Sequence, residues 1–139
     1  MNEAWLVELN GSVNNIERRN GVNDTDTLGF IEDFKRMKLD EGIKCYFFKG
    51  IGEKAELILY FFYDSRLIQV SFDEGDYILK ATNYNQVSSI ELIASWHDKN
   101  DKKLNISLNK EPIILDSNKK EKQAKNIEEI YLQLCNQAI

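Results

Sequence analysis

The chain has 139 residues, of which 42% are hydrophobic and 29% charged, with a formal net charge of −5. That composition belongs to one ordinary soluble globular domain with a real but modest core. The acidic balance argues against binding driven by phosphate neutralisation, so nucleic acid is not an expected partner. No apolar run approaches the roughly 20 residues that span a bilayer. Glu3 and Glu8 accompany the first apolar residues with no basic segment ahead of them, so no secretory leader is expected.

Residues 2–19 place Trp5, Leu6, Leu9, Val13 and Ile16 at helical spacing, with Gly11-Ser12 as an interruption. Arg18-Arg19 before Asn20-Gly21 reads as a helix end with a glycine stop. Asn23 to Asp26 offer caps for a second helix. Its stripe is Leu28, Ile31, Phe34 and Met37, and Lys35, Arg36 and Lys38 complement its dipole. From there the period becomes two. Residues 43–49 and 55–63 read as strands around a Gly50-Ile51-Gly52 loop. A strand rather than a helix follows those glycines, which speaks for a turn and against a phosphate cradle. Residues 57–63 are apolar on both faces, so something beyond the sheet core must cover the second one. An N-terminal helix is the obvious candidate.

Ile68, Val70 and Phe72 alternate with Gln69 and Ser71, and Asp73 to Asp76 form a hairpin turn before a strand at 77–83. The next strand, 87–96, carries Ile90, Leu92, Ala94 and Trp96 on one face and Glu91, Ile93 and Ser95 on the other. A polar hairpin loop, His97 to Lys102, leads to 104–109, where Leu104, Ile106 and Leu108 are dry and Asn105, Ser107 and Asn109 wet. The only proline, Pro112, precedes the strand 113–115, where a missing N–H does least damage. Asp116-Ser117-Asn118 supplies N-cap groups for a helix over about 119–138 with its stripe on Ala124, Ile127, Ile130, Tyr131, Leu134 and Ala138. The order predicts a single antiparallel α+β domain over 1–139, with a helical extension at 1–40 and a seven-stranded core with its closing helix at 43–139.

The chemistry-bearing residues form no constellation. His97 is the only histidine and sits in a polar loop. Cys45 and Cys135 lack metal spacing and read as reduced thiols of a cytoplasmic protein. Asp24 and Asp26 do not continue into a calcium loop, and Asp73, Glu74 and Asp76 read as a polar turn. No enzyme activity, metal or cofactor is therefore expected. The aromatic strands are read as core, with an oligomer interface as the alternative, and Lys119, Lys120, Lys122 and Lys125 as a solvated face.

Seven strands and one closing helix resemble the pleckstrin-homology (PH) superfold. The supporting stretches are Tyr77 to Lys80, Tyr84 to Leu92, Lys103 to Leu108, Ile113 to Leu115 and the last helix. They resemble bacterial PH-like domains, and the chain is also similar to small proteins of bacteria and their phages. The resemblance implies a PH-like sheet or split barrel with a groove between the fifth strand and the C-terminal helix. An extended peptide could add there as a strand, which makes Glu91, Ile93, Ser95, Tyr131 and Leu134 the candidate partner-binding residues. The implied function is a non-enzymatic protein-interaction module, phage-derived in one version, whose partner is another protein or a second copy. The alternative is binding of an anionic lipid headgroup. Family members do this with several basic residues between the first two strands; here Lys49 and Lys54 are mixed with Glu53 and Glu56. Independently of the family, residues 87–96 carry one charge, Glu91, and form a poorly guarded strand suited to edge pairing unless a helix covers it.

Overall fold

Residues 57–63 are buried almost without interruption, and the layering follows from that fact. The structure is a computed structural model and describes residues 4–11, 24–50, 57–73, 76–108 and 111–137. A first antiparallel sheet has the order β1 (Cys45–Lys49), β2 (Ile58–Phe62), β3 (Arg66–Asp73), β4 (Asp76–Asn83). A second antiparallel sheet contains β5 (Val87–Ala94), β6 (Lys102–Leu108) and β7 (Ile113–Asp116). Three α-helices complete the described residues: α1 (Ala4–Gly11), α2 (Asp24–Arg36) and α3 (Glu121–Cys135). The architecture is α+β, with two sheets that do not join into a closed barrel.

The first sheet is dry on both faces because each face meets a different layer. Tyr46, Phe48, Leu59, Phe61, Ile68 and Val70 pack with Trp5 and Leu9 of α1 and Phe30, Ile31 and Phe34 of α2. The Trp5 ring stands edge-on to Phe34 at 5.6 Å and to Phe61 at 5.2 Å, an arrangement the ring quadrupoles favour. On the opposite face Cys45, Phe47, Tyr60, Phe62 and Leu67 share a core with Leu104, Ile106, Ile113 and Leu115 of the second sheet and Ile127, Ile130 and Leu134 of α3. The N-terminal helices therefore do cover the second face of the aromatic strands, and those aromatics are core.

Several expectations need correction. Leu28 and Met37 are exposed, and the buried stripe of α2 is Phe30, Ile31 and Phe34. Asp33 on α2 accepts hydrogen bonds from the Tyr77 hydroxyl of β4 and from Arg36. Those donors, Tyr77 first, hold the Asp33 carboxyl below its ordinary pKa. Ser117 does not cap α3. The N-cap is Lys120, which makes no side-chain cap bond, and Asn118 and Lys119 adopt left-handed backbone with φ of 52° and 61°. The basic run Lys119, Lys120, Lys122 and Lys125 is exposed as expected, and Lys122 in addition pairs with Glu8 of α1 at 2.9 Å. Val13, Ile16, Lys54 and Glu74, and the side chains of Asp24 and Asp26, lie outside the described residues.

Candidate interaction site

Strand edges are row upon row of unpaired N–H and C=O groups, so each one must be covered or used. The outer edge of β1 is covered. α3 packs on β1, and the Gln123 amide donates to the Phe48 carbonyl at 3.5 Å. Among the described residues β4, β5 and β7 each pair with one strand only, and of these β5 leads directly into the exposed Trp96.

The faces of β5 are set by a bulge. Val87 pairs with Leu108 and Ser89 with Ser107, so Ser88 is the extra residue, and its hydroxyl donates to the Ser107 carbonyl at 3.1 Å. The bulge allows Val87 and the even-numbered Ile90 and Leu92 to turn inward together. All three pack half-buried on the core cluster that Tyr131 also touches. The opposite face carries Glu91, which accepts from Asn105 at 3.1 Å, and Ile93, which pairs with Lys103 and is 49% exposed.

The five residues expected to share one groove are thus divided. Glu91 and Ile93 lie on the outer face. Ser95 lies beyond the end of the strand. Tyr131 is half-buried beside the core, and its hydrogen bond with the exposed Cys135 raises its pKa. Leu134 is 1% exposed and belongs to the core, so it is not available to a partner. Nearer to a groove is a recess of about 520 Å³ at the start of β5, lined by Val87, Ser88, Tyr84, Ser65 and Gln137. The Tyr84 hydroxyl donates to the Tyr63 carbonyl at 2.5 Å and pins this corner; burial raises its pKa.

Trp96 is the residue that strand alternation misplaces. β5 ends at Ala94, and Trp96 is 98% exposed. The loop that presents it is tightly bonded. Ser95 Oγ accepts the amides of His97 at 3.1 Å and Asp98 at 3.2 Å, and Asp98 Oδ1 accepts the amide of Asn100 at 2.9 Å. The buried Ser117 hydroxyl donates to the Asn100 carbonyl and accepts the Lys102 amide. The signal in the sequence is Ser95 three residues before Asp98, a side chain placed to close a turn instead of extending a strand.

Compared with known proteins, the chain matches no family model, no curated protein and no solved structure. Among the described residues no group of three His, Cys, Asp or Glu could hold a metal ion, and no helix is long and apolar enough to cross a membrane.

Proposed function

We propose that this chain is a non-enzymatic protein-interaction module of the PH-like split-barrel type, which binds an extended segment of another protein, or of a second copy, along β5. The division into strands β1 to β4 and β5 to β7 with a closing helix supports the PH-like reading. The observation that carries the interaction reading is the edge of β5, unpaired among the described residues, with exposed Ile93 on the strand and fully exposed Trp96 just beyond it. An added strand would pair with the backbone of β5. Trp96 is a rigid aromatic anchor, the kind of residue that dominates interface energetics when a partner desolvates it.

The test compares the native chain with Ile93→Lys by light scattering and by capture from cells that naturally express the protein. Loss of association in the variant, with circular dichroism unchanged, is the expected outcome. A strict monomer, with empty captures for both forms, removes the proposal.

A further inference from the structure

We propose that the space between the two sheets, on the side away from α3, is a binding site for a small organic anion with a flat apolar body. This goes beyond the interaction reading and does not depend on it. The cavity has a volume of about 610 Å³, within the range of small-molecule sites, roughly 300–1,000 Å³.

Its walls come from one face of the first sheet changing character along its length. The cross-strand row Cys45, Phe62, Leu67 lies on the α3 core and is buried. The neighbouring row runs Phe47, Tyr60, Gln69, Lys80. Gln69 and Lys80 line the cavity together with Thr82, which is paired with Leu67. Gln69, which alternates with the buried Ile68 and Val70, lines the gap between the sheets. Ile58 and Tyr60 add apolar surface to the same face, and across from it stand Leu108 and Ile113 of the second sheet.

The cleft is open to solvent here, with Lys49 and Lys80 exposed and Gln69 and Thr82 half-buried, so the polar ends of this wall stay hydrated without internal partners. The wall suits a ligand with a polar edge and an apolar face. The charge selects the sign. Lys80 on β4 and Lys49 on β1 line the cavity, whereas Glu111 is the only carboxylate among its described lining residues. Lys49 and Lys80 stand on the two outer strands of the four-stranded sheet, two residues out of register and about 16 Å apart at the backbone. An anion entering between the sheets therefore meets positive charge from either side. The volume suits a small molecule, and the apolar residues have no use for a bare phosphate.

The experiment is a fluorescence titration of the full chain with anilinonaphthalene sulfonate at neutral pH, combined with backbone amide shifts. One saturable site is expected, with shifts at Ile58, Gln69, Lys80 and Leu108. Lys80→Met, a change at an exposed side chain, should raise Kd about tenfold. Thr82→Phe, which fills the cavity, should abolish binding while circular dichroism stays native. Phenylnaphthylamine, the uncharged analogue, should bind more weakly than the sulfonate. Inorganic phosphate at millimolar concentration should not compete. Non-saturable binding, shifts on the outer faces, or a Kd unchanged in both variants would overturn the proposal. Equal affinity for the uncharged analogue would overturn the anion requirement, and competition by phosphate would overturn the apolar one.

Discussion

The Ser117 hydroxyl, wholly buried, donates to the Asn100 carbonyl at 2.5 Å across the gap between the β5–β6 loop and the end of β7. The same oxygen accepts the Lys102 amide at 2.9 Å, and the Ser117 amide donates to the Lys102 carbonyl at 2.9 Å. A residue suited by type to cap a helix thus holds the Trp96 loop to the body of the protein. Ser117→Ala leaves the partly buried Lys102 amide and Asn100 carbonyl without their partner, which should cost about 1 kcal/mol. Urea denaturation measures the loss, and hydrogen exchange of the Lys102 amide should accelerate. Unchanged stability and exchange would show that the loop is held by other means.

α3 is held to the sheets by its apolar stripe and contributes no side-chain cap bond at its start. Leu134→Ala should therefore destabilise the protein by about 2–5 kcal/mol. A denaturation midpoint shared by variant and parent would mean that the helix is not docked through Leu134.

Alkaline pH should unfold the protein in a defined window. Burial pushes the Cys45 thiol from an ordinary 9.0 up to about 12, with Glu129 adding to the shift. Burial also raises the Tyr63 and Tyr84 phenols above their ordinary 10.0. A group raised in the folded state contributes stability that is fully present below its unfolded pKa and is lost as pH rises through the folded one. Urea midpoints should hold steady up to about pH 9 and fall from there towards pH 12. Cys45→Ala should begin its decline later, near the tyrosine range. An identical profile for the two forms would remove Cys45 from the account.

The two thiols should also separate chemically. Cys135 is exposed and Cys45 buried. A disulfide reagent at pH about 8 should modify one thiol in the folded protein, since reactivity follows thiolate content and access. Rapid modification of both would show that β1 opens readily.

Much of the fold is legible in the chain. The alternation of Leu104 and Ile106 with Asn105, and the two dry faces of Leu57 to Tyr63, specify strands and layers because burial is periodic. The stripe of α3 is legible for the same reason. The misreadings arise where local pattern and tertiary demand part. Strict three-residue steps selected Leu28 and Met37, while the sheet recruits Phe30, one position off that row. Period-two counting cannot see the Ser88 bulge, which puts Val87 on the face of Ile90. The same counting carried Trp96 inward past the true end of β5. The candidate site was legible as a strand with few charges, but not as a set of contacts. Leu134 reads the same whether it lines a groove or fills a core, and the second sheet decides that.

The central claim is that β5 and the Trp96 loop are a contact surface in the cell. The most direct measurement places a photo-crosslinking amino acid singly at Ile93, at Trp96 and, as a control, at exposed Leu132 on α3, in cells that naturally express the protein. The account predicts a discrete crosslinked species, with another protein or a second copy, from positions 93 and 96 and not from 132. No crosslink from 93 and 96, or the same diffuse products from all three, would contradict it.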